Sequence, residues 1–189
     1  MKKYLLVVTM LLAMACDLLA AQSETIVQLE TKTGTLEGSL LVPVEITGIP
    51  VVLIIAGSGP TDRDGNNPWM KNNSLKMLAT ELSKNRLATL RYDKRGIGKS
   101  SQAGSQEKNL RFDHYISDVK DWVALLNQDE RFSEIIVIGH SEGSLLGMIA
   151  SQEKDVDKFI SIAGPGQSAD KILKDQLIPG TPYLIMYPF

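Results

Sequence analysis

Apolar and polar positions follow different rhythms along this chain, and the changes of rhythm mark out its elements. Residues 25–30 (Thr-Ile-Val-Gln-Leu-Glu) alternate with period two, as a half-exposed strand does. Thr33-Gly34 is a turn signal, and residues 35–42 read as a second strand, so an antiparallel hairpin is expected at a sheet edge. After a connection over residues 43–50, residues 51–56 (Val-Val-Leu-Ile-Ile-Ala) are apolar throughout, which suits a central parallel strand buried on both faces. Residues 57–68 are rich in Gly, Pro, Asp and Asn and read as a loop. Residues 74–84 place Leu75, Leu78, Ala79 and Leu82 on one helix face. A strand over 87–92 and a polar loop over 93–109 follow. Residues 112–126 have helical spacing through Ile116, Val119, Trp122, Val123 and Leu126. Residues 135–138 are short and β-branched, as a buried strand is, and Leu145, Leu146, Met148 and Ile149 read as one face of the next helix. A last strand over 158–163, Gly164-Pro165-Gly166 and a short helix over 171–177 complete the pattern. Strands alternating with helices imply crossovers and a mostly parallel sheet covered on both faces, with an antiparallel pair in front.

Composition adds bounds. The 189 residues suffice for one domain with a real core, and 43% apolar with 22% charged residues fits a soluble globular protein. A net charge of −2 without any basic run argues against nucleic acid as a partner. The single cysteine, Cys16, rules out an intrachain disulfide, and His114 and His140 are too few for a histidine metal cluster. Lys2 and Lys3 precede an apolar run over residues 4–15, with Ala20 and Ala21 after it: the layout of a signal peptide over residues 1–21, with the domain over 25–189. The expectation is an exported protein, periplasmic or secreted, with no membrane span after processing. Lipoprotein processing at Cys16 is the rival, and a retained anchor the third option, although the run is short for a span and Asp17 interrupts it.

The chemistry concentrates at Gly139-His140-Ser141-Glu142-Gly143, a Gly-x-Ser-x-Gly motif between strand and helix. That context is what a nucleophile elbow needs: Ser141 at the apex of a strained turn, with Gly139 and Gly143 small enough for strand and helix to approach. The helix N-terminus beside the serine favours developing negative charge. Gly98-Lys99-Ser100 imitates the end of a phosphate-binding loop, but position 93 holds Asp where that motif needs Gly, and no helix pattern begins at Ser100.

Three segments together resemble an α/β-hydrolase of the serine-hydrolase superfamily, in its exported bacterial esterase or serine aminopeptidase-like branch. They are residues 57–66 (Gly-Ser-Gly-Pro-Thr-Asp-Arg-Asp-Gly-Asn), residues 91–100 (Arg-Tyr-Asp-Lys-Arg-Gly-Ile-Gly-Lys-Ser) and the elbow. Each falls at a strand's carboxyl end, where ligands gather in open α/β sheets, and the resemblance covers residues 51–166. It implies the α/β-hydrolase fold, hydrolysis of a small-molecule carboxylic ester through an acyl-enzyme, and no cofactor. Ester rather than peptide bond is a family-level expectation. The Ser58 and Glu142 N–H groups would form the oxyanion hole, Ser58 by the family's pattern and Glu142 by elbow geometry. Asp62, Arg63, Asp64, Arg91, Asp93 and Arg95 form a charged set near it. They read first as an ion network bracing two loops, and otherwise as a source of contacts to a polar substrate group.

The family's order is serine, acid, histidine, and a serine hydroxyl needs an imidazole to take its proton. No histidine follows Ser141. His140 inside the elbow is expected to point away from the hydroxyl, and His114 reads as a surface or packing residue. Asp155, Asp157, Asp170 and Asp175 do not follow a further strand, where the acid belongs, and residues 182–189 are strongly apolar. Two expectations stay open. One is the N-terminal part of an esterase whose C-terminal part, acid and base lie beyond Phe189. The other is a degenerate hydrolase fold that binds a ligand or partner without turnover. Sequence says nothing about oligomeric state.

Overall fold

The computed structural model describes residues 22–43, 47–104, 107–152, 155–168, 171, 172 and 174. The expected export signal and Cys16, the apolar run 182–189 and much of the helix expected over 171–177 lie outside these; residues 171, 172 and 174 are helical.

The elements are β1 (Gln22–Thr31), β2 (Gly34–Pro43), β3 (Ile49–Ile55), α1 (Ser74–Lys84), β4 (Ala88–Tyr92), α2 (Phe112–Asn127), β5 (Phe132–His140), α3 (Glu142–Ala150) and β6 (Lys158–Ile162). The six strands form one sheet in the order β1-β2-β4-β3-β5-β6. β1 and β2 are the antiparallel hairpin, joined through Lys32-Thr33, and β2 meets β4 antiparallel. β3 lies parallel to both β4 and β5, and β6 parallel to β5. The polar loop after β4 differs from expectation in holding two 3-10 helices, Gly98–Gly104 and Glu107–Asn109.

Alternation along the strands divides the core in two. Val51, Leu53, Ile55, Leu90, Tyr92 and Val137 point to the face covered by α2 and α3, against Val119, Trp122, Leu126 and Leu146. Val52, Ile54, Ala56, Ile136 and Ile138 point to the other face, under Leu75 and Ala79 of α1. Residues 51–55 are buried without exception, which explains why β3 shows no polar alternation at all.

The buried face of α3 is not the one its large apolar residues suggest. Gly143, Ser144, Leu146, Gly147 and Ala150 are buried, whereas Met148 is 47% exposed. The helix lies too close to the sheet for bulk: a Cβ on Gly147 would stand 3.0 Å from side-chain atoms of Phe159 and Val137. Small residues and Leu146 therefore set this interface, while Leu145, Met148 and Ile149 sit on its flanks.

Candidate active site

The parallel strands β3, β4, β5 and β6 bring their carboxyl ends to one edge of the sheet, and the motif segments meet there. Ser141 directly follows β5 and is the N-cap of α3, with φ 53° and ψ −119°. A serine in that conformation is strained by about 1–3 kcal/mol, so its surroundings must impose it. Its N–H donates to the Ile162 carbonyl of β6 at 2.9 Å, and its carbonyl accepts from the Ser144 N–H at 3.0 Å. A Cβ on Gly139 would collide with the Gly143 carbonyl, and one on Gly143 would stand 2.5 Å from the carbonyl oxygens of Ile55 and Ala56. Both glycines are thus required by close approach. Behind the turn, the hydroxyls of Ser144 and Ser161 share a hydrogen bond at 2.5 Å.

The loop after β3 faces the elbow. Ser141 Cβ lies 3.3 Å from where a Cβ on Gly57 would be, and the His140 ring approaches the same point through Nδ1 at 3.1 Å. Ser58, next in the loop, is exposed and Ser141 is half-buried. Among the described residues, neither the Ser58 N–H nor the Glu142 N–H has a backbone acceptor. The Gly57–Ser58 loop and the first residue of α3 thus both adjoin Ser141.

The charged set is assembled as bracing. Asp62 folds its own loop, its Oδ1 accepting from the Asp64 N–H at 2.9 Å and the Asn66 N–H at 2.8 Å. The Asp64 carbonyl in turn accepts from Leu75 and Lys76, tying the loop to the start of α1. Asp93 Oδ1 accepts from the Arg63 N–H at 2.7 Å, and its Oδ2 from Arg63 Nη2 at 3.0 Å and the Lys99 N–H at 2.9 Å. Arg63 also meets Glu37 of β2 at 2.5 Å. Burial works against the charged Arg63, yet Glu37 and Asp93 more than offset it and raise its pKa. Arg91, 1% exposed, bridges Asp64 at 2.9 Å and Glu24 of β1 at 2.5 Å. Arg95 Nε donates to Asp118 Oδ2 at 2.7 Å, its Nη2 to Asp118 Oδ1, and its Nη1 to Thr33 Oγ1 at 2.6 Å. Burial pushes the Asp118 carboxyl above the usual aspartate range, against the pull of Arg95. A polar hollow of about 500 Å³, lined by Asp62, Asn66, Lys71, Asn73 and Gly98 among others, opens beside these loops and does not include Ser141.

Four members of this assembly were not singled out from the sequence: Glu24, Glu37, Lys94 and Asp118. Asp118 had a legible signal, since it sits at helical spacing with Tyr115, Val119 and Trp122 on the apolar stripe of α2. Lys94 had none beyond its place in the motif. It is 4% exposed, with Nζ 2.5 Å from the Gly57 carbonyl oxygen and 3.0 Å from Glu142 Oε2. The two histidines sit apart. His114 is in the first turn of α2, where its Nδ1 accepts from the Arg111 N–H at 3.3 Å. His140 is exposed, and no hydrogen bond joins it to the Ser141 hydroxyl among the described residues.

Known proteins share the fold of this chain. The profile of the family described as serine aminopeptidase, S33, matches residues 71–178, more than half of the chain. A curated relative, esterase EstD of Thermotoga maritima, is 28% identical over 144 residues, which is 75% of this chain and 33% of the esterase. The chain thus spans about a third of that relative's length. Among solved structures, the α/β hydrolase GrgF from a Penicillium species aligns with TM-score 0.62 and 23% identity over 75% of this chain and 46% of its own. A dienelactone hydrolase from Anabaena variabilis aligns with TM-score 0.58 and 23% identity, over 76% of this chain and 64% of its own. At those identities the structures establish the fold, and the profile establishes the lineage: this chain belongs to the serine aminopeptidase S33 family of α/β-hydrolases.

Proposed function

We propose that Ser141 is the nucleophile of a serine hydrolase acting on small-molecule carboxylic esters, with the Ser58 and Glu142 N–H groups as oxyanion donors. The observation that carries this is the strained Ser141 backbone, φ 53° and ψ −119°, held at the carboxyl edge of the sheet beside two amides without backbone acceptors. A backbone is held in such a conformation only where the surroundings over-determine it, and here Ser141 stays half-exposed beside the Gly57–Ser58 loop. The esterase named among the relatives supports ester as the substrate class.

In the reaction, Ser141 Oγ bonds to the carbonyl carbon and its proton goes to a base. The oxyanion rests on the two amides, the alcohol leaves with a proton, and water then cleaves the acyl-serine to release the acid. Neither His114 nor His140 is hydrogen-bonded to Ser141 among the described residues, so this reading assigns the base to neither. We expect the 189-residue chain to hydrolyse p-nitrophenyl acetate slowly, since an oxyanion hole alone retains only about 10³–10⁴-fold catalysis over water. Mass spectrometry should find an acetyl group on Ser141 of the wild-type chain after exposure to p-nitrophenyl acetate and none at that position in Ser141→Ala; wild-type protein without it would dismiss Ser141 as nucleophile.

A second reading is favoured by one observation: among the described residues no histidine is hydrogen-bonded to the Ser141 hydroxyl. In it the fold binds an ester or carboxylate without turning it over. Saturable binding of such a ligand with no hydrolysis above the Ser141→Ala background would select it. Export through residues 1–21 is part of the first proposal, and N-terminal sequencing of protein recovered from the periplasm or medium tests it.

A further inference from the structure

Lys94 is a cation with almost no access to water, and buried ammonium groups persist only where partners replace the lost hydration. Its partners are the Gly57 carbonyl at 2.5 Å and Glu142 Oε2 at 3.0 Å, with the Tyr115 ring 5.8 Å from Nζ. Both polar partners belong to the two segments that would supply the oxyanion donors. The Gly57 carbonyl and the Ser58 N–H are opposite ends of one planar trans peptide. Fixing the carbonyl oxygen on one side therefore fixes the direction of the N–H on the other. The second bond holds the first residue of α3, whose own N–H is the other donor.

We propose that Lys94 is a positioning residue that sets the orientation and separation of the two oxyanion donors by clamping the Gly57–Ser58 peptide to the start of α3. It touches neither substrate nor nucleophile. The inference rests on the reading of Ser141, Ser58 and Glu142 given above. It extends that reading to a side chain on a third strand end, β4. The neighbouring cations do different work, since Arg63, Arg91 and Arg95 are spent on carboxylates remote from the elbow. Without the Lys94 bond, nothing among the described residues holds the Gly57 carbonyl, and a glycine-flanked peptide turns easily.

The test uses the intact 189-residue chain and an alkyl fluorophosphonate, with imidazole in the buffer as the proton acceptor. The Ser141 Oγ–phosphorus bond forms, the phosphorus–fluorine bond breaks, and the hydroxyl proton passes to imidazole. The labelled serine is identified by mass spectrometry, and the labelling rate is followed against probe concentration. Lys94→Met is expected to lower the saturated labelling rate by about tenfold or more, below the roughly 10²–10³-fold effect of losing a donor outright. The half-saturating concentration should change by less than about twofold. A purely structural brace would not separate the two in this way.

Should Lys94→Met fail to fold, Glu142→Ala serves in its place. It keeps the backbone donor and trims only a carboxylate at the half-exposed start of α3. Loss of the counter-charge frees the ammonium from its seat, and the saturated rate should fall several-fold. Ser141→Ala separates the two ideas. If wild type takes no label at Ser141, or Ser141→Ala labels as fast as wild type, the underlying reading falls. If Ser141 labels and a folded Lys94→Met, or Glu142→Ala where that replaces it, labels at the wild-type saturated rate, only the role of Lys94 is overturned.

Discussion

Single residues at the carboxyl edge are held by partners distant in sequence, and removing one strands the other. Asp118 illustrates the scale of this. It is 2% exposed along its side chain and takes two hydrogen bonds from Arg95, itself 6% exposed. Asp118→Ala would leave a guanidinium buried without its counter-charge, and losing one partner of such a pair costs about 3–5 kcal/mol. Urea unfolding should report a loss of that size, while a surface change such as Lys84→Ala, whose partner Glu81 is also exposed, should move the midpoint little. Arg95 also holds Thr33 at the hairpin tip, so the same variant should loosen the β1–β2 turn.

At the scale of elements, the α3–β5 junction is where packing and chemistry make the same demand. Gly143 has no room for a methyl group, because a Cβ there meets two main-chain oxygens at 2.5 Å and neither can swing aside as a side chain could. Gly143→Ala should therefore lower stability by about 1–3 kcal/mol, as overpacking generally does. It should also slow Ser141 labelling, since α3 must back away from β3. A melting curve together with the fluorophosphonate rate checks both effects. The same junction shows what the sequence could and could not reveal. The strand, turn and helix were legible because a β-branched run, two flanking glycines and an apolar nonamer each carry a local signal. Of the apolar face expected on α3, Leu146 is buried, Leu145 and Ile149 are half-buried and Met148 is exposed. Periodicity scores large apolar side chains, whereas contact at this distance selects glycine, serine and alanine. The 3-10 turns after β4 escaped for a related reason. Their order comes from bonds made elsewhere, such as Asp93 accepting the Lys99 N–H and Ser100 Oγ accepting the Glu37 N–H. The ion pairs could be anticipated as a set, but their partners Glu37 and Glu24 come from the hairpin, 26 and 67 residues away, and no spacing rule connects them.

Across the whole molecule, the hairpin, the two loops and the elbow form one charged and hydrogen-bonded layer over a dry sheet. Arg63 and Arg91 link β1, β2 and the loop after β3, and Lys94 links that loop to α3. The sheet itself is less evenly supported. β3 is covered on both faces, while at β6 Ile160 and Ile162 are 46% and 38% exposed and the strand pairs only β5 among the described residues.

That asymmetry reaches Ser141 through one bond, from its amide to the Ile162 carbonyl. Among the described residues β6 has a partner strand on one side alone, and such strands unzip more readily than central ones. Each time β6 frays, the elbow loses the latch that keeps its torsion angles in place, and Ser141 is free to relax from its strained conformation. Deuterium uptake at the Ser141 amide should consequently keep pace with that of β6 and run ahead of the middle of β5. Whatever secures this margin would thereby set the fraction of time Ser141 spends in that conformation.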